Sequence, residues 1–282
     1  MRLFPILIIA GAAVLAGCIA EEDKNDVTNE QGDKVNDPTV ALNGFWDGQF
    51  DQAGDLRVLV YNGNVYALDE TNGYYGTVLL NDDTSRATFA LTAYTLTEAD
   101  TTGNQYVADG PSEDYNLSGL LFSSTADDDT LVGDYENDTL TGSFLLEDDG
   151  TWSNNSDLDN LAGKWTATGY EFYVQPLTGK ASYKGISTDG SGCTFEGEIT
   201  LLDETEALYA VSLIERKNCA GFNETDASGY AAVNADGNLE VYLRKNNDLL
   251  FMIFTAPVSD TTTDDTTTDD TTDDTTTDDT AV

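Results

Sequence analysis

The chain has 282 residues with 52 acidic and 12 basic side chains and no histidine, which gives a formal net charge of −40 at pH 7. Such an excess of acid argues against a nucleic-acid partner, because Lys and Arg must neutralise the phosphate backbone. The lack of histidine excludes Ser-His-Asp triads, His-ligated zinc and histidine acid–base chemistry. Hydrophobic residues make up 40% of the chain. With glycine included, this content is ordinary for globular proteins, so a folded core is expected.

The first segment, residues 1–17, is typical of a signal peptide. Met1-Arg2 is followed by the apolar run Leu3–Ala10 and then by small residues up to Gly17-Cys18. The run is shorter than the ~20 residues that a membrane-spanning helix needs. Ordinary secretion, with Cys18 incidental, is the alternative.

Leu15-Ala16-Gly17-Cys18 resembles the lipobox of bacterial lipoproteins. The resemblance implies cleavage before Cys18, acylation of its thiol, and a membrane contact through several N-terminal acyl chains, which together bury enough CH₂ groups for stable anchoring. Ile19 is not the aspartate that the family associates with retention in the inner membrane. The resemblance therefore implies lipid anchoring in the cell outer membrane.

Residues 18–40 contain few large apolar side chains and show no periodicity, which predicts an acidic flexible tether. Residues 41–258 show no sustained helical stripe. Their short alternating runs predict an all-β protein. In Arg86–Tyr94 one face carries Ala87, Phe89, Leu91 and Ala93, while in Leu239–Arg244 one face is apolar and Glu240 and Arg244 lie on the other.

Eight strands are predicted in each half of this region, divided at the polar joint Ser153–Asp157. The first half, residues 41–156, has candidates near 44–51, 55–61, 64–69, 74–81, 86–97, 116–123, 130–136 and 139–147. The second half, residues 157–258, has candidates near 162–168, 170–175, 179–187, 193–201, 206–216, 227–234, 238–244 and 248–255. Hairpin turns are predicted at Asn62-Gly63, Asn72-Gly73, Asp149-Gly150, Asp189-Gly190 and Asp236-Gly237. Eight antiparallel strands suffice to close a small barrel, so two tandem barrels are expected.

Both halves open on the same pattern, Gly44-Phe45-Trp46 and Gly163-Lys164-Trp165. Gly-x-Trp on the first strand of an eight-stranded barrel resembles the lipocalin signature. The resemblance implies that Trp46 and Trp165 close one end of each barrel, and that a basic residue near the last strand, here Arg244, lies over the Trp ring. Alternatively, each Trp is a core aromatic of another β-barrel or sandwich.

Cys193 and Cys219 remain after Cys18 and are predicted to form a disulfide, as expected for a pair in an exported protein. No Cys-x-x-Cys or histidine supports a metal site or a redox pair, and no cofactor is predicted. No Gly-x-Ser-x-Gly, Walker or Rossmann pattern is present. The carboxylates are too numerous to single out a catalytic pair, although a hydrolase with paired carboxylates stays open.

The last segment, residues 259–282, is almost entirely Thr and Asp, which predicts a disordered acidic tail with at most weak, diffuse binding of divalent cations. Residues 40–156 carry 21 acids and 2 bases, whereas residues 157–258 carry 15 and 7. The larger excess of acidic residues in the first half indicates either a basic protein partner of that half or a solvated surface suited to a salty medium. The expected function is a non-catalytic binding module for a small apolar ligand or a protein partner. The alternative is a structural or interaction protein with barrels filled by side chains.

Overall fold

The computed structural model describes residues 26–28, 34–50, 54–95, 105–109, 112–123, 129–222 and 225–256. The signal peptide, Cys18 and the acidic tail lie outside these residues. Within them the secondary structure consists of antiparallel strands and short 3-10 helices, which confirms the all-β prediction. None of the described helices has the length and apolar content required to cross a bilayer.

Eight of the nine described strands of the first half form a closed barrel, which follows a short hairpin of β1 (Asp26–Thr28) and β2 (Lys34–Asn36). Around the barrel the order is β10-β11-β3-β4-β5-β6-β7-β9. All eight barrel strands coincide with predicted ones to within a few residues. The ranges in this half are β3 (Gly44–Phe50), β4 (Gly54–Tyr61), β5 (Asn64–Leu68), β6 (Asn72–Asn81), β7 (Arg86–Thr95), β8 (Gln105–Asp109), β9 (Glu113–Phe122), β10 (Thr130–Glu136) and β11 (Thr141–Asp148).

The second half supplies eight further strands in sequential order, and its sheet differs from the expected closed barrel. Its first and last strands meet only at the bridge between Thr166 and Thr255, and β8 from the first half pairs with the remaining edge of β19. We call this curved sheet the second barrel. Its strands are β12 (Gly163–Ala167), β13 (Tyr170–Leu177), β14 (Lys180–Ser187), β15 (Thr194–Leu201), β16 (Tyr209–Lys217), β17 (Ala227–Val233), β18 (Leu239–Lys245) and β19 (Asp248–Phe254).

The strand β8 was not predicted from the sequence, and it covers one edge of the second sheet. An exposed strand edge leaves N–H and C=O groups unpaired and invites aggregation. The backbone of β8 pairs with β19 from Gln105 opposite Met252 to Asp109 opposite Asp248. The edge of β19 that does not pair with β12 is therefore covered by a strand from the first half.

Alternating side chains fill the interior of each barrel. Ala87, Phe89, Leu91 and Ala93 of β7 are all buried in the core of the first barrel, as their spacing predicts. The Asn62-Gly63 turn between β4 and β5 has φ of 47° and 76°, which are the left-handed values that a tight hairpin requires.

Two predicted hairpin turns were wrong. Asp149-Gly150 follows β11, but the next strand, β12, belongs to the other sheet. Asn72-Gly73 begins β6, and the turn precedes it. Gly73 serves a different purpose. A Cβ atom placed there would lie 2.7 Å from the ring of Phe251 on β19, so the glycine allows the two barrels to approach closely.

The two barrels pack against each other through their outer faces. Aromatic side chains of the first barrel, such as Tyr66, contact Tyr230 and Tyr242 of the second, with ring centroids 5.9 and 6.2 Å apart. Glu240, predicted to lie on the polar face of its strand, does so, but that face is buried in this interface. The local sequence around Glu240 carries no sign of this contact.

Candidate functional site

The two halves begin with the same arrangement of a short helix and a buried tryptophan. A 3-10 helix, Pro38–Leu42 or Leu158–Leu161, precedes the first strand, and the indole N–H of the Gly-x-Trp tryptophan donates a hydrogen bond to the last carbonyl oxygen of that helix. The distances are 3.0 Å from Trp46 to Leu42 and 2.8 Å from Trp165 to Leu161. Both tryptophans are almost completely buried.

Arg244 does not occupy the place that the lipocalin resemblance implied. Its guanidinium lies 4.1 Å from the ring centroid of Tyr75, which belongs to the first barrel. Arg244 is on the outer face of β18, because its neighbours Leu239, Val241 and Leu243 point into the second barrel. Because the side chain of Arg244 points outward, it reaches the first barrel, and its cation–π contact with Tyr75 links the two barrels.

The opposite end of the first barrel is filled by aromatic rings. Phe50 lies at their centre, with its ring centroid 4.8 Å from that of Tyr135 and 6.1 Å from that of Tyr74. Tyr74 donates a hydrogen bond of 2.6 Å to Asp69, whose carboxylate also accepts from the backbone of the turn. Burial raises the pKa of Tyr74 above its ordinary value, and the Asp69 carboxylate raises it further. These side chains fill the end of the barrel at which β3 ends and β6 begins.

The corresponding end of the second barrel is covered by the loop that follows β16. Cys193 and Cys219 form the predicted disulfide, which ties this loop to the start of β15. The guanidinium of Arg216 donates to the carbonyl oxygens of Ala220, Gly221 and Phe222, at 3.2, 2.6 and 3.0 Å. Phe222 is buried in the core of the barrel. The loop therefore plugs this end with its own side chain.

Replacing Cys193 and Cys219 by serine is expected to lower the free energy of unfolding by about 3 kcal/mol, because the unfolded chain loses a cross-link between residues 26 positions apart. Urea unfolding of the oxidised protein and of the double variant measures the difference. Reduction of the wild-type protein should reproduce it. Equal stability of all three samples would contradict a stabilising role for this disulfide.

A buried ion cluster joins the barrels around Arg57 on β4. Its guanidinium donates to Asp149 at 2.7 Å, to Asp47 at 3.1 Å and to Glu240 of the second barrel at 3.2 Å. Burial alone would lower the pKa of Arg57, but Tyr242 and the three carboxylates raise it above its ordinary value, so the guanidinium stays charged. These carboxylates are engaged in ion pairs. Among the described residues no group of three His, Cys, Asp or Glu side chains is placed to hold a metal ion.

The outer face of the first barrel away from this interface carries exposed apolar side chains. Leu120 on β9 lies directly opposite Val132 on β10, which lies opposite Leu145 on β11, and Phe122 follows on β9. Leu120, Val132 and Phe122 are 37%, 43% and 57% exposed. We call these four residues the outer patch. The outer patch interrupts an otherwise polar outer surface on these three strands. Their polar outward residues include Asn116, Ser118, Asp134, Glu136, Ser143 and Glu147.

A groove of about 700 Å³ continues from the outer patch along the same strands. Asp134 and Glu136 line it together with Asn116 and Ser118. Arg86, on the neighbouring strand β7, donates a 2.8 Å hydrogen bond to Ser118. The groove thus presents two exposed carboxylates beside an exposed apolar surface.

Comparison with known proteins gives little further information. No protein-family model matches the chain, and no curated protein matches it. Among solved structures, Aeromonas veronii immune modulator A aligns with 76% of this chain and 94% of its own length, at 12% sequence identity and a TM-score of 0.35. A likeness of this size carries no conclusion about function.

Sequence reasoning located Trp46, Trp165 and the disulfide, but it missed Arg57, Phe222 and the outer patch. The patch left one detectable signal. Leu120-Leu121-Phe122 and Leu145-Leu146 break the alternation of polar and apolar residues, so both faces of these strands are apolar there. Arg57 left no comparable local signal, because its partner Glu240 is 183 positions away.

Proposed function

We propose that this protein is a lipid-anchored envelope protein that binds other macromolecules through the outer surfaces of two filled, lipocalin-like barrels and catalyses no reaction. The lipobox pattern at Cys18 supports the anchor and outer-membrane location. The paired 3-10 helix and Gly-x-Trp arrangements support the lipocalin-like description.

One observation favours this function over the capture of a small apolar ligand: the end of each barrel opposite its tryptophan is occupied by the protein's own side chains. Phe50, Tyr74 and Tyr135 fill the first, and Phe222 fills the second. A ligand pocket of the usual kind is a concave cavity lined by apolar groups. Here a group of exposed apolar side chains that are neighbours across β9 and β10 lies on the outside of the first barrel instead.

Native mass spectrometry of the protein purified from its own envelope tests the filled barrels. We expect the mass of the mature acylated chain with one disulfide and no bound small molecule. A bound apolar molecule retained under native conditions, and lost when the protein unfolds, would place the ligand inside a barrel and refute this function.

The same preparation tests the anchor. Cells grown with an alkyne-labelled palmitate should label the wild-type protein but not the Cys18→Ser variant, because the thiol is the acylated group. The Cys193→Ser/Cys219→Ser variant retains Cys18 and serves as the matched control, which should label like wild type. Label on the Cys18→Ser protein would contradict acylation at this residue.

A further inference from the structure

The first barrel has two apolar outer faces, and the second barrel covers only one of them. Phe45, Leu59 and Tyr66 on β3–β5 are buried against the second barrel. The outer patch on β9–β11 has the same kind of composition, yet Phe122 is 57% exposed. A strand that is apolar on both faces is typical of a sheet that is covered on both sides. A contiguous exposed apolar surface rimmed by polar residues is typical of an interaction site.

The charges around the outer patch restrict what covers it. Asp134 and Glu136 follow Val132 on the same face of β10, and Glu147 follows Leu145 on β11. Cross-strand pairing places Glu147 opposite Asp47. The first half contains only two basic residues. Arg57 is held in the inter-barrel ion cluster, whereas Arg86 is exposed, lies opposite Leu120 and donates a hydrogen bond to Ser118. The border of this face therefore carries one arginine beside Asp134, Glu136 and Glu147, and it is negative overall.

A second copy of the chain fits this face poorly. A symmetric contact would bring Asp134, Glu136 and Glu147 of both copies together with only one arginine, Arg86, from each, and such an excess of like charge is unfavourable. A partner with apolar side chains and flanking Lys or Arg fits both features, because its apolar groups cover the patch while its cations enter the groove beside Asp134 and Glu136. We propose that the outer patch and its groove bind a basic, apolar segment of another protein. This inference rests on the proposed function and names the surface that performs it.

A short synthetic peptide of alternating lysine and leucine is the probe. The full mature protein, held by its acyl chains in zwitterionic nanodiscs, is titrated against the fluorescent peptide, with empty nanodiscs as the blank. We expect the Leu120→Ser/Phe122→Ser/Val132→Ser variant to bind at least about tenfold more weakly than wild type, which corresponds to about 1.4 kcal/mol. Circular dichroism checks that the variant is folded.

The matched control is Leu177→Ser/Ile214→Ser, which removes two side chains of similar exposure, 46% and 49%, from the second barrel. Its affinity should stay within about twofold of wild type. Asp134→Asn/Glu136→Gln should weaken binding at low salt and reduce its salt dependence, because these carboxylates form the anionic border. A peptide of alternating lysine and serine should bind much more weakly than the lysine–leucine peptide.

Three outcomes would overturn the proposal: equal binding by the patch variant and wild type, equal binding of the lysine–serine peptide, or patch-dependent binding of the lipid-free chain to phosphatidylcholine vesicles. The last result would assign the patch to a lipid surface. None of them places a ligand inside a barrel, so the mass-spectrometric test of the proposed function remains separate.

Discussion

Replacing Arg57 by alanine is expected to lower the free energy of unfolding by about 3 kcal/mol, because its removal leaves two buried carboxylates without a cation. The side chains of Asp149 and Glu240 are only 6% and 7% exposed. The variant also removes the contact of the guanidinium with the ring of Phe45, 5.0 Å away. Urea unfolding at pH 7 measures the loss.

The matched control for this prediction is Arg86→Ala, which removes the other arginine of the first barrel. Arg86 is exposed and its hydrogen bond is to the hydroxyl of Ser118. Surface contacts of this kind contribute little, so the control should lose less than about 1 kcal/mol. If Arg57→Ala does not fold, Arg57→Lys keeps the charge without the planar fork and should show a smaller loss. Equal losses for Arg57→Ala and Arg86→Ala would contradict the ion cluster.

Raising the pH above 10 is expected to destabilise the protein steeply. Burial raises the pKa values of Tyr66, Tyr74, Tyr183 and Tyr242 above the ordinary value. The folded protein therefore keeps these protons after the unfolded chain has released them. The contribution of these protonated tyrosines to the free energy of unfolding is fully present below the unfolded pKa of about 10. Above that pH it falls by about 1.4 kcal/mol per pH unit for each such tyrosine.

Urea unfolding at several pH values between 9 and 12 measures this slope, and absorbance of the phenolate follows the titration of the tyrosines. Tyr183→Phe should remove about a quarter of the slope that the four residues share. It also removes a 3.1 Å hydrogen bond to the carbonyl oxygen of Ser212, so its stability at neutral pH should be lower by about 1 kcal/mol. An unchanged slope in this variant would contradict the raised pKa of Tyr183.

The inter-barrel contacts matter for the proposed function because they fix the orientation of the outer patch. Arg57 and Glu240 form an ion pair across the interface, Arg244 lies over Tyr75, and β8 extends from the first half into the sheet of the second. These contacts link the covered face of the first barrel to the second barrel. The uncovered face then points away from it as a preorganised surface, and preorganisation lowers the cost of binding.

Much of the fold could be predicted from local patterns. Period-two alternation located the sixteen strands that were expected, and Asn62-Gly63 marked a hairpin because those residues adopt positive φ. Trp46 and Trp165 were identified from two matching tripeptides. The strand β8 was missed because Gln105–Asp109 gains its pairing partner from a distant segment rather than from its neighbours in sequence.

The sequence by itself determined that the chain is all-β, that its strands fall into two similar halves, and that Cys193 pairs with Cys219. Tertiary structure alone decided what lies against each outer face. Alternation shows which side chains share a face of a strand. It does not distinguish Glu240, which is buried, from Glu136, which is exposed. The physical reason is that the environment of a face depends on contacts between residues far apart in the chain, such as Arg57 and Glu240, which leave no local pattern.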